Sequence, residues 1–75
     1  MMVELELSKD ELERIVAERC AQFGGVAQVV IMQDDRHPFA LAGVLMSDAA
    51  EADAVLRGIG GSIVHNTVLI RLEQQ

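Results

Sequence analysis

The sequence predicts an α+β domain in which two helices cover one face of a four-stranded antiparallel sheet. Three observations indicate this fold. The chain has 75 residues, which is the length of one small domain. Hydrophobic residues make up 51% of it, too many for a disordered chain. Apolar residues recur with strand periodicity in four segments and with helical periodicity in two, in the order βαββαβ.

The first half of the chain begins with a strand and a helix. Residues 3–7 alternate apolar and acidic residues, which is typical of a half-buried strand. Ser8 and Glu11 have the spacing of a capping box that starts a helix. Gly24 and Gly25 are expected to end this helix. Its apolar stripe consists of Leu12, Ile15, Val16, Cys20 and Phe23.

A hairpin, a second helix and a last strand follow. Residues 26–32 and 39–46 are apolar, and the short polar segment between them predicts an antiparallel hairpin. Asp48 is the expected N-cap of the second helix, with Glu51 three residues later. The last strand is expected over residues 62–72, with an interruption at Asn66 and Thr67 that is a bulge or a turn. Right-handed crossovers would place both helices on the same face of the sheet.

Charge and composition exclude several classes of function. Six Lys and Arg against twelve Asp and Glu give a net charge of −6, which argues against DNA and anionic membranes as partners. The single Cys20 cannot form an internal disulfide and lies on an apolar helix stripe, as a buried thiol would. No apolar run approaches the about 20 residues of a membrane span. We therefore expect an acidic cytoplasmic protein without a membrane partner.

Residues for catalysis or cofactor binding are not found in the required patterns. His37 and His65 have no Cys or carboxylate at a spacing typical of metal ligands, so no metal site is expected. No nucleophile and base pair is present, so the sequence does not predict an enzyme. The glycine pairs follow predicted helices instead of preceding them, which argues against a phosphate-binding loop. We expect no cofactor.

Three short motifs resemble the RNA recognition motif (RRM, the RNP-type domain), and the resemblance covers nearly all of residues 1–75. The segment 22–31 is similar to the exit from the first helix of that family, and 46–55 to its passage from the third strand into the second helix. Residues 60–64 are similar to its turn before the fourth strand. The resemblance implies a single domain with a ferredoxin-like βαββαβ sandwich that binds RNA on its sheet.

The aromatic residues that bind RNA in this family are absent here. The third strand of the family carries K/R-G-F/Y-G/A-F-V-x-F/Y, whose aromatic side chains stack on unpaired bases. In this chain the basic position is Phe39, and the two stacking positions are Leu41 and Gly43. The aromatic position of the first strand falls on Glu4, or on Val3 if the register slips by one. We therefore expect a divergent member in which RNA binding, if retained, is weak.

The sheet face opposite the helices is the predicted interaction surface. If Ala42 and Val44 face the helices, the residues that alternate with them face away. A contiguous apolar patch on such a face is typical of an interaction site. The predicted interaction residues are Phe39, Leu41, Gly43, Leu45 and Leu69.

The leading hypothesis is a protein-interaction or homodimerisation module without catalytic activity. Its partner would be a second copy or another protein, because pairing enlarges a small core. The alternative is a divergent single-stranded RNA-binding protein. A second alternative is a small-ligand sensor similar to ACT domains. The residues expected to contact RNA are Arg36, His37, Phe39 and Arg71.

Overall fold

The computed structural model describes residues 1–75, with two helices and five strands. The predicted α+β class is confirmed. In chain order the elements are β1 (Met2–Val3), α1 (Lys9–Cys20), β2 (Val26–Gln33), β3 (Phe39–Met46), α2 (Ala49–Gly58), β4 (Ser62–Val64) and β5 (Thr67–Gln74). Neither helix is long and apolar enough to cross a membrane.

The five strands form one mixed sheet. Its order is β1-β5-β3-β2, and β4 also pairs with β5. The β2–β3, β3–β5 and β4–β5 pairs are antiparallel, whereas β1 runs parallel to β5. Since β3 occupies one side of β5, β1 and β4 share the other side, at opposite ends of the strand. The predicted ferredoxin-like layout of four antiparallel strands is therefore not confirmed.

The first strand is shorter than the predicted residues 3–7, which is a correction to the sequence analysis. After Val3 the chain turns, and the Leu7 N–H donates to the Glu4 carbonyl at 3.2 Å. Gln74 Oε1 accepts from the Leu5 N–H at 3.0 Å, and Gln33 Nε2 donates to the Leu5 carbonyl at 3.0 Å. The leucines of this turn still pack against the core. The alternation therefore reflects burial of the leucines on one side of a turn.

The predicted last strand, residues 62–72, is a hairpin of two strands. Val64 of β4 lies opposite Thr67 of β5, so only His65 and Asn66 form the turn. His65 has a φ of 57°, in the left-handed region that such two-residue turns require. The Asn-Thr interruption read from the sequence marks the end of this turn.

Both helices begin at their predicted caps. Ser8 Oγ accepts from the Glu11 N–H at 3.2 Å, and Asp48 Oδ1 accepts from the Glu51 N–H at 2.8 Å. The first helix ends at Cys20, a turn before the glycines expected to end it.

The hydrophobic core lies between the helices and one face of the sheet. It contains fourteen buried apolar residues, and no polar or charged residue is buried with them. In β3 the buried side chains include Ala42 and Val44, as the sequence predicts, and in β5 they include Ile70 and Leu72. Because both helices lie on this side, the opposite face of the sheet has no cover within the chain.

Candidate interaction face

The sheet face without helices is termed the open face. Side chains that alternate with the buried Ala42 and Val44 point toward it. Cross-strand pairing extends this alternation to the neighbouring strands, because Leu41 lies opposite both Met32 and Arg71. The open face consists of Met2, Gln28, Val30, Met32, Phe39, Leu41, Gly43, Leu45, Ser62, Val64, Thr67, Leu69, Arg71 and Glu73.

Apolar side chains dominate the open face. Of the seven large hydrophobic side chains that are exposed anywhere in the chain, six lie on this face. The seventh, Ile63, belongs to the edge strand β4 and points to the helix side, since it pairs with the buried Val68. The six open-face residues are Met2, Val30, Met32, Leu41, Leu45 and Val64. They give the protein a contiguous apolar surface, a feature typical of interaction sites.

All five residues predicted from the sequence as an interaction face lie on the open face. Leu41 and Leu45 are exposed, and Phe39 and Leu69 are half-buried. The sequence analysis did not include Val30 and Met32, which are each 45% exposed. Strand β2 is apolar on both sides, so its periodicity does not show which set of side chains faces away from the helices. Met2 and Val64 were also missed, because the pairing of their short strands depends on the tertiary structure.

Gly43 lies near the centre of the open face. It pairs with Val30 on one side and Leu69 on the other, and neighbouring side chains bury it. A Cβ atom built on Gly43 would lie 3.8 Å from Leu69 Cδ2 and 3.9 Å from Thr67 Cγ2, which is ordinary van der Waals contact. The fold therefore does not require glycine at this position.

One end of the open face carries its charged and aromatic groups. The Arg71 guanidinium carbon lies 4.0 Å from the centroid of the Phe39 ring, and Arg71 Nε lies 3.7 Å from Glu73 Oε1. The His37 ring centroid is 5.2 Å from that of Phe39. Next to these groups is a shallow depression of about 180 Å³, lined in part by Met32 and Leu41. The arrangement brings together three of the four residues predicted to contact RNA.

The fourth predicted RNA contact, Arg36, interacts within its own loop. Its guanidinium donates to both carboxylate oxygens of Asp34, with the shortest distance 2.9 Å. This hydrogen bonding lowers the pKa of Asp34 and raises the pKa of Arg36. The positive charge of Arg36 is therefore balanced by a carboxylate two residues away.

The charge of the chain lies almost entirely outside the open face. The face contains one base, Arg71, and one acid, Glu73, so its formal charge is zero while that of the chain is −6. The other acidic residues lie on the helices, in the turn after β1 and in the loop between β2 and β3. Two such faces can approach each other without repulsion between their own charges.

Other candidate sites receive little support from the geometry. No group of three or more His, Cys, Asp and Glu side chains is placed to hold a metal ion. Cys20 is fully buried in the core, and this burial raises the pKa of its thiol. Comparison with family models, curated proteins and solved structures found no match to this chain. The resemblance to the RNA recognition motif therefore stays a prediction.

Proposed function

We propose that this protein is an association module that pairs with a second copy of itself through the open face. The observation that carries the proposal is the concentration of exposed apolar side chains on this one face of the sheet. Removing such side chains from water is the main driving force of protein association. No segment of residues 1–75 covers the face, which leaves it available to a second copy.

The size of the open face supports a dimer. Strands β2, β3 and β5 each have eight residues, and the short strands β1 and β4 occupy a fourth position. At about 3.3 Å per residue and about 4.8 Å between strands, the face measures about 26 by 19 Å. That is about 500 Å² per copy and about 1,000 Å² per pair, the area at which specific interfaces begin.

The charge distribution favours a second copy as the partner. A strongly basic partner would be attracted to the acidic helices and loops instead of the open face. A second copy also carries −6, but in a face-to-face pair the helices of both copies lie on the outer sides, away from the contact. At the contact, the second copy presents a neutral apolar face of the same dimensions. In a two-fold dimer each patch meets its own counterpart, so an apolar patch complements itself.

The test is the molecular mass in solution, measured by light scattering or sedimentation at about 100 μM, a concentration at which micromolar affinities are saturated. The wild-type protein is expected at twice its chain mass of 8.2 kDa. Leu45→Lys is expected to be monomeric, because it places a charge in the apolar interface. Leu41→Lys repeats the test at a second position of the same exposure, 37%.

Ile63→Lys is the matched control, because Ile63 is 39% exposed but lies off the open face. It is expected to leave the dimer intact. Circular dichroism verifies that each variant is folded. A monomeric wild-type protein, or a dimer unaffected by both open-face variants, would overturn the proposal.

A second candidate function is binding of single-stranded RNA at the charged end of the open face. The observation that favours it is the cluster of His37, Phe39 and Arg71. Arg71 covers one side of the Phe39 ring, so at most one side is left for stacking on a base.

NMR titration of the labelled protein with a degenerate RNA pool at low salt tests this second candidate. Amide shifts at the cluster that disappear in Arg71→Ala would support it. Unchanged spectra would refute it.

A further inference from the structure

The two edges of the sheet differ in how they are protected against pairing with another chain. One edge consists of β1 and β4, which have two and three residues and occupy the two ends of β5. The other edge is β2, with eight residues. Proteins prevent unwanted pairing at sheet edges with short strands, charged residues, proline or bulges. The first edge is protected in this way by its short strands.

Strand β2 has almost none of these protections. It contains no charged residue and no proline, and its only irregularity is a register shift between Val26 and Gln28. From Gln28 to Gln33 its pairing with β3 is regular. Backbone groups of an antiparallel strand point alternately toward and away from the neighbouring strand. In residues 28–33, the backbone N–H and C=O groups that point away from β3 make no hydrogen bond to another part of the backbone.

We propose that the free edge of β2 pairs with β2 of a second copy, antiparallel and around a two-fold axis perpendicular to the sheet. This contact is additional to the open-face pairing and does not depend on it. It is the weaker of the two and forms mainly above the concentration of about 100 μM at which Leu45→Lys is expected to be monomeric. The two sheets would become one continuous sheet, and their open faces one continuous apolar surface. The open-face contact would remain available to that surface.

The chemistry of β2 makes a second copy the fitting partner. The strand itself is neutral, and the α1 side chains beside its first half, Asp10, Glu13 and Arg14, carry both signs. Repulsion along the strand is therefore limited even though each chain carries −6. A two-fold axis perpendicular to the sheet keeps both open faces on the same side. Val30 then lies opposite Val30 or Met32 of the second copy. On the helix side, the first of these registers places Val29 opposite Ile31, and the second places Ile31 opposite Ile31. Apolar cross-strand pairs of this kind stabilise a sheet.

Amide hydrogen exchange measured by NMR tests the proposal, using Leu45→Lys so that open-face pairing is absent. We expect protection of the amides of residues 28–33 that point away from β3, and stronger protection at about 1 mM than at about 20 μM, because pairing follows mass action. In a mixture of labelled and unlabelled protein, isotope-filtered spectra should show contacts between β2 strands. Exchange of the outward amides as fast as that of the loop amides of Asp34 and Asp35 at both concentrations would overturn the proposal.

A charge near the two-fold axis provides a second test in the same background. Val30→Glu brings two carboxylates close together across the paired strands, and like charges at such positions are destabilising. We expect it to remove the concentration-dependent protection. Val30→Thr, which is neutral and also β-branched, should retain it, and equal protection in both variants would overturn the proposal. Failure of the open-face proposal would be detected separately, by the molecular mass of Leu45→Lys and Leu41→Lys in solution.

Discussion

Replacing Gly43 by alanine is expected to stabilise the folded chain. Glycine within a strand costs conformational entropy on folding, and alanine reduces that cost where the backbone and the space permit it. Both conditions hold at Gly43. Its φ is not in the left-handed region, and the nearest atoms to a new methyl group are Leu69 Cδ2 and Thr67 Cγ2, at 3.8 and 3.9 Å.

The expected gain in the free energy of unfolding is about 0.5–1 kcal/mol. For a domain of this size, that corresponds to a rise in Tm of about 2–8 °C. Gly61→Ala is the matched control, because Gly61 has a φ of +115° and its Cβ would collide with the Leu69 carbonyl oxygen. This second variant is expected to lose more than about 1 kcal/mol.

The assay is urea unfolding followed by circular dichroism, at a few micromolar protein so that association contributes little to the measured stability. Both glycine variants and the wild type are compared at one concentration. A loss of stability in Gly43→Ala would refute the reasoning, because it would show that the space beside Gly43 is not available to a methyl group. An unchanged stability in Gly61→Ala would refute the expected collision between its Cβ and the Leu69 carbonyl oxygen.

Three further predictions concern the core, the hairpin loop and the cysteine. Leu12→Ala should cost about 2–5 kcal/mol in urea unfolding, because Leu12 is fully buried and its removal leaves a cavity. Arg36→Ala should raise the pKa of Asp34 toward its ordinary value of 3.8, as followed by NMR titration of the carboxyl group. The small stability from this pair is present above pH 3.8 and is lost as pH falls through the lowered pKa of Asp34. Cys20 should react with a thiol reagent only when the protein opens, since burial raises the pKa of the thiol and blocks access.

Each of these three predictions has its own control and its own contradicting result. Glu11→Ala removes no buried side chain, so a loss as large as that of Leu12→Ala would contradict the cavity argument. Arg57 pairs with Asp53 of α2, so Arg57→Ala should leave the pKa of Asp34 lowered. An unchanged pKa of Asp34 in Arg36→Ala would contradict the pairing. Reaction of Cys20 in native buffer at the rate of an unfolded control would contradict its burial.

Features that depend on neighbouring residues could be predicted from the amino-acid order. The two helix starts follow from side chains that accept hydrogen bonds from amides three residues later. The roles of Ser8 and Asp48 as N-caps can therefore be predicted without the rest of the chain. The hairpin of β2 and β3 follows from two apolar segments and the short polar loop between them. The inward set of β3, which includes Ala42 and Val44, follows from the strict alternation of side chains along a strand.

Which strands pair, and where each strand ends, depends on contacts between distant parts of the chain. The segment at residues 3–7 has the pattern of a strand, but strand pairing stops at Val3, and the backbone of Leu5 instead bonds the Gln33 and Gln74 side chains. β1 lies beside β5 because the Glu73 and Gln75 N–H groups donate to the Met1 and Val3 carbonyls, contacts between opposite ends of the chain that no local pattern encodes. The outward set of β2 was likewise undetermined, since a strand that is apolar on both sides has no periodicity to read. The extent of the open face and the free edge of β2 therefore became visible only when the strands were placed side by side.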